Sequence, residues 1–270
     1  MELEQNLGVL EGSGTKQLWL GGTIPYEVRL ETGDWRPYLV KEEKQFSNNA
    51  DTMGCVSFSL TNLLEIQNKF FGIDVNFSDR FLAKMSDTTP QGNYLDKVAE
   101  TARKIGLVLE EEYPTPDSYT WDSYYAPISA EIALKAVKQE IAYESISVDK
   151  ESLLKHLKQC PLQITIPVPR PNHAVVLVAI EGDTAFYFDS YPTYLKTINI
   201  DKISYALKVV LKGNMNTYVK TINLDGEIAA YIPLSDPTQI ELLNKIFNLN
   251  IKVNPDSGIT TDIQATVKGG

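Results

Sequence analysis

Cysteine is scarce in this chain, with only Cys55 and Cys160 among 270 residues. Two thiols cannot build the disulfide framework of a secreted scaffold, and a bridge between them would consume a thiol placed for chemistry, so a reducing compartment is the expected setting. Histidine is equally scarce, limited to His156 and His173. Two separated imidazoles and two thiols have no zinc-site spacing, so neither a metal nor another cofactor is expected. No run of lysine and arginine is dense enough to track phosphates, and 35 acidic against 25 basic side chains give a formal charge of -10. Nucleic acid and anionic membranes are thereby disfavoured as partners. No apolar stretch reaches bilayer-spanning length, and MELEQNLGVLEGSG lacks the basic and apolar regions of a secretory signal. The expected location is the cytoplasm, or a phage or virus particle.

What the chain does have is core material, since 43% of its residues are hydrophobic. Residues 1 to 44 mix Gly and Pro turns with the charged patch KEEK and read as an irregular N-terminal extension with short strands. From Thr52 onward, Val56, Leu60, Leu63, Leu64 and Phe71 recur every three to four residues, which predicts an amphipathic helix capped by Asp51 or Thr52. YLDKVAETARKIG predicts a second helix stopped by Gly106. Trp121 and four tyrosines between 112 and 130 read as rings pinning a long loop, with a binding groove as the alternative. SVDKESLLKHLKQCP predicts a third helix that buries Leu153, Leu154 and Leu157 and ends at Pro161.

The period then changes. LQITIPV, HAVVLVAI, TAFYFDSY and ALKVVLKG alternate as strands do, and EGD at 181 to 183 makes the middle pair a hairpin. Residues 213 to 270 read as a C-terminal extension, with strands in TINLDGEIAAYIPL and a short helix in TQIELLNKIFNLN. Its final VKGG reads as an ordinary terminus or as a self-processing product.

A cysteine in the first turn of a helix meets free amides and the positive end of the peptide dipoles, which favour a thiolate. Against this, free cysteines are among the most often buried residues. A thiol nucleophile also needs a base that later protonates the leaving group. His156, on the lysine-rich side of LLKHLK, reads as a solvated helix position; His173 opens a strand after the turn-rich PVPRPN. With a three-residue hairpin loop Asp189 lies opposite Val175 and shares a face with His173; with a two-residue loop that parity fails unless a bulge intervenes. Alone, Asp189 reads as a strand-ending aspartate.

Together these segments resemble the papain-like cysteine peptidases. CVSFS at 55 to 59 resembles the nucleophile motif, YLDKVAETARKIGLVLEEEYP the second helix and its Tyr-Pro exit, NHAVVLVAI the histidine strand, and FYFDSYP the site of the third catalytic residue. The resemblance runs over 45 to 212. It implies an α+β papain-like fold, with an N-terminal helical half and a C-terminal antiparallel sheet half between terminal extensions. It also implies Cys55 as nucleophile, His173 as base and acid, and Asp189, in place of papain's asparagine, as the orienting group. The oxyanion donor falls to Gln45 or to Asn49, with Gln45 favoured for its reach and its EKQ context. Tyr191 replaces the shielding tryptophan.

The function implied is hydrolysis of peptide bonds through a covalent acyl-enzyme, with a protein or peptide as substrate. The alternatives are a catalytically silent papain-like module used for binding or virion assembly, and a cell-wall amidase or acyl-transfer enzyme.

Overall fold

A computed structural model describes residues 26–47, 50–167 and 172–212, together with Val9 and the backbone of two strands beyond residue 212. The chain forms two compact units, Met1–Lys212 and Gly213–Gly270. In the first, helices dominate the N-terminal half: α1 (Cys55–Phe70), α2 (Asp79–Met85), α3 (Leu95–Ile105), α4 (Trp121–Tyr124) and α5 (Ala130–Leu134). Strand β1 (Ile141–Ile146) and helix α6 (Lys150–Leu157) follow, then β2 (Leu162–Pro167), β3 (Asn172–Glu181), β4 (Thr184–Phe188), β5 (Leu195–Asn199) and β6 (Tyr205–Leu211). The six strands form one sheet in the order β1-β6-β2-β3-β4-β5 with every neighbouring pair antiparallel. The architecture is α+β, helical half first. No described helix is long and apolar enough to cross a membrane.

Helix α1 is buried on all sides from Cys55 to Asn68 rather than along one stripe. A helix enclosed all round must satisfy its own polar side chains. Ser59 and Thr61 return their hydroxyls to the carbonyls of Cys55 and Ser57, a pattern that suits hydroxyl residues inside helices. From the sheet, Gln163 Nε2 on β2 donates to Val56 O at 2.9 Å and Ser59 Oγ at 2.8 Å. Gln67 closes the far end by donating to Val209 O and accepting from Leu211 N. The helix is thus tied to β2 and β6.

Helix α3 stops at Gly106, whose φ of 99° and contact with Val137 leave no room for a side chain: a Cβ there would sit 2.5 Å from the Val137 carbonyl. Helix α6 is capped by Asp149, which accepts Ser152 N–H. It buries Leu153 and Leu157 only. Leu154 points outward and the helix ends before Pro161.

The segment ahead of residue 45 differs from its sequence reading. Between 26 and 44 it contains no strand, only a turn of 3-10 helix at Arg36–Tyr38. It packs within the first unit. Arg29 N and Leu30 N both donate to Lys158 O at 2.9 Å, and Trp35 is 0% exposed with Nε1 donating to Leu157 O at 2.7 Å. The aromatic loop pins as expected, since Tyr119 and Tyr124 are buried against each other and Ala83.

In the second unit β7 (Tyr218–Ile222) and β8 (Ile228–Pro233) pair antiparallel. The TQIELLNKIFNLN helix and the VKGG tail lie outside the described residues.

Candidate active site

Local turns deliver Cys55 to the start of α1. Asp51 Oδ1 accepts Met53 N–H at 2.8 Å and Thr52 Oγ1 accepts Gly54 N–H at 3.1 Å. Asp51 and Thr52, expected as helix caps, instead cap the two turns that precede it. Met53 takes a φ of 55°, a left-handed conformation rare for a side chain of its size. The N-cap is Gly54, without a side-chain bond, and Cys55 becomes the first residue of a 16-residue helix. Its position at the N-terminus of the dipole is therefore stronger than the sequence indicated. Tyr125 OH holds Thr52 O at 2.6 Å and Tyr119 OH holds Gln45 O at 3.0 Å, so the pinned aromatic loop fixes the approach to the cysteine.

Asp189 reaches His173 by the second of the two routes left open, a two-residue turn with a bulge. The β3–β4 turn has two residues, Gly182 and Asp183, because Glu181 pairs with Thr184. Gly182 sits at φ 60°, as the first position of such a turn requires. A two-residue turn alone would send Asp189 to the wrong face. Between Leu177 and Ala179 the register shifts, with Val178 as the extra residue of a bulge. Below it Leu177 faces Tyr187 and Val176 faces Phe188, which carries Asp189 to the level of Val175 on the face of His173. The carbonyl of Val178, left over by the bulge, accepts Trp35 N–H at 2.8 Å.

His173 Nε2 and Asp189 Oδ1 are 2.6 Å apart, with both side chains buried. Cys55 lies within interaction range of the same imidazole, and among the described residues Nδ1 has no other partner. Burial opposes charge on this ring, but the bonds to Asp189 and Cys55 outweigh it and raise the His173 pKa to about 10. Burial likewise opposes charge on Asp189, and His173 and Lys196 overcome it to hold its carboxyl below the usual range. Lys196 Nζ on β5 is 2.7 Å from Oδ2. Tyr191 packs edge-on against His173 with centroids 5.3 Å apart, and its N–H donates to Asp189 Oδ1 at 3.2 Å.

Gln45 is fully buried beside this group. Its Nε2 donates to Asp51 Oδ1 and to Tyr191 OH, each at 3.0 Å, while Ser190 Oγ donates to its Oε1 at 2.7 Å. Tyr191 OH in turn donates to Asp51 Oδ2. Asn49 lies outside the described residues. His156 stands apart on α6. It is half-buried rather than solvated, and burial together with Lys208 depresses its pKa to about 4. Cys160 is a buried free thiol pushed up to about 12 by desolvation. Among the described residues no cluster of His, Cys, Asp and Glu is arranged to hold a metal. The sequence reading missed Lys196, Asp51 and the Tyr119 and Tyr125 anchors. Only the phenol-rich composition of 112 to 130 hinted at the last two.

No family model and no curated protein matches the sequence. Solved structures do. Xylellain, a cysteine protease from Xylella fastidiosa, superposes with a TM-score of 0.58 at 12% identity, covering 78% of this chain and 97% of that one. Digestive procathepsin L 3 of Tenebrio molitor larval midgut gives 0.55 at 17% identity, covering 77% of each chain. The Carica candamarcensis cysteine protease CMS1MS2, in complex with E-64, gives 0.51 at 15% identity, covering 66% of this chain and 96% of that one. The fold is papain-like. Identities this low describe the frame and leave the chemistry to the side chains of this chain.

Proposed function

We propose that this protein hydrolyses peptide bonds through a thioester intermediate on Cys55. The observation that carries the reading is the buried His173 ring, bonded to Asp189 through Nε2 and flanked by a thiol at the start of a helix. That is the arrangement of a nucleophile, a base and an orienting group.

Cys55 passes its thiol proton to His173 Nδ1, and Sγ attacks the carbonyl carbon as the carbonyl oxygen becomes an oxyanion. The first amides of α1 and the Gln45 amide donate to it, Gln45 by transferring one N–H from Asp51 or Tyr191. His173 gives its proton to the departing amine as the C–N bond breaks. Water then attacks the thioester carbonyl, His173 takes a proton from it, and the carboxylic acid leaves as Cys55 is regenerated. Asp189 keeps the ring oriented and supports its charge throughout, while the edge contact with Tyr191 shields the pair from water.

A second reading, a silent binding module, is favoured by two features: Cys55 has 0% exposure, and both N–H groups of Gln45 are already engaged. Iodoacetamide labelling followed by peptide mapping decides between them. Cys160 is an internal control, because its buried, raised-pKa thiol is inert by the same chemistry. Fast labelling of Cys55 that slows at least tenfold in His173→Ala, with cleavage of a peptide library lost in Cys55→Ala, supports the peptidase. Equal, sluggish labelling of Cys55 in both proteins and an uncut library refute it.

A further inference from the structure

Asp189 has a neighbour on each side of the sheet. His173 lies diagonally across β3, and Lys196, paired with Tyr187 on β5, lies diagonally across the other edge. All share one face, where diagonal neighbours are within reach of long side chains. The carboxylate is shared between them, Oδ1 to His173 at 2.6 Å and Oδ2 to Lys196 at 2.7 Å. Its side chain is only 4% exposed, and the Lys196 side chain is 25% exposed.

We propose that Lys196 is a positioning residue that acts through Asp189. Its ammonium takes Oδ2, neutralises the buried carboxylate and leaves Oδ1 for the imidazole. The role rests on the peptidase reading for its effect on turnover, although the electrostatics stand without it.

A buried carboxylate bonded only to His173 would hold the imidazolium so firmly that the ring would give up its proton reluctantly, weakening it as an acid toward the leaving amine. A lysine on the second oxygen cancels that excess. The Asp189–Lys196 pair then presents to the ring an oriented acceptor oxygen without net charge, much as a neutral amide would. Among the described residues Cys55 on α1 and the Tyr191 ring flank the imidazole, Asp51 accepts the Tyr191 hydroxyl, and Tyr187 on β4 and the backbone of Tyr194 lie beside Asp189. Lys196 is the cation that bonds Asp189 directly.

The test uses the full chain. It contains two histidines, so its NMR spectrum has two imidazole Cε1–H signals, and His156→Asn assigns them. Lys196→Met removes the positive charge, and the His173 titration is expected to move up by about one pH unit or more. Asp189→Asn leaves Lys196 facing the ring unpaired, and the titration is expected to move down. The double variant returns it toward the wild-type value, and Lys196→Arg stays within roughly 0.3 unit of wild type. On a cleaved peptide the alkaline limb of kcat/KM follows these signs, and the double variant exceeds either single variant. Shifts of the same sign, or none, in the two single variants overturn the proposal, as does a double variant slower than both. If opposite NMR shifts appear in a protein that cuts no peptide, the peptidase reading fails and the Lys196–Asp189 electrostatic assignment stands.

Discussion

Removal of the Trp35 ring tests whether the segment ahead of residue 45 is part of the folded body. The ring is fully buried, packs edge-on to Phe70 at 5.3 Å and beside Tyr38 at 6.0 Å, and donates Nε1–H to Leu157 O at 2.7 Å. Trp35→Ala loses the apolar burial and leaves a cavity, a change that costs about 3–5 kcal/mol. It also strips Leu157 O of that donor, for about 1 kcal/mol more. Trp35→Phe keeps most of the ring and loses chiefly the hydrogen bond, so about 1–2 kcal/mol is expected. Against a total stability of about 5–15 kcal/mol, the alanine variant is severely weakened and the phenylalanine variant is not. Equilibrium urea unfolding followed by circular dichroism reads both as midpoint shifts. The backbone bond from Trp35 N to Val178 O survives either substitution, so the His173 titration of the still-folded fraction stays unchanged. An alanine variant within about 1 kcal/mol of wild type would refute the reasoning and make the segment an appendage.

Three further predictions concern the interior. Burial holds the Glu65 and Asp79 carboxyls protonated well above their ordinary range. In the unfolded chain they ionise normally, so stability falls as pH rises past that range, by about 1.4 kcal/mol per pH unit for each group. Glu65→Gln flattens this slope in denaturation curves taken at rising pH from the ordinary carboxyl range upward, whereas parallel curves would show that Glu65 ionises freely. Gly106→Ala forces a Cβ against the Val137 carbonyl at a positive φ and is expected to cost about 2 kcal/mol or more in thermal unfolding; a neutral result would remove the close approach as the cause of the α3 stop. Lys208 and Glu144 form a buried ion pair between β6 and β1. Lys208→Met strands the carboxylate for about 3–5 kcal/mol, and adding Glu144→Leu recovers most of that loss in the same assay. A double variant no better than the single would place the cost in packing.

Helices α1, α3 and α6 were legible because their signals are local, whereas the short helices α2, α4 and α5 were not read. Gly106 ends α3 and Asp149 caps α6 through contacts within a few residues, and hydrophobic spacing marks α1. Cys55, His173 and Asp189 were named from the family resemblance, and the hairpin pattern alone left the face of Asp189 open until the bulge at Val178 was seen. The start of α1 was misplaced because Asp51 and Thr52, good caps by type, are used two residues earlier to turn the chain. Lys196 was invisible for another reason. LKTIN alternates between exposed and partly exposed positions on an edge strand, so no apolar period marks it, and its partner is reached only by cross-strand geometry. Leu154 was misassigned because a helix as short as α6 buries a narrow stripe.

The bulge at Val178 and the two-residue turn at Gly182 have a consequence for which lengths of this hairpin can be tolerated. Moving the odd residue from the bulge to the turn conserves the alignment of Asp189 with His173, whereas straightening β3 at its present length with the two-residue turn kept would set Asp189 opposite Val176 on the other face. Deletion of Val178 removes only the unpaired residue, keeps Asp189 opposite Val175 and is expected to preserve the His173–Asp189 contact. For a given chain length between His173 and Asp189, the parity of turn plus bulge, rather than either length, decides whether the two share a face.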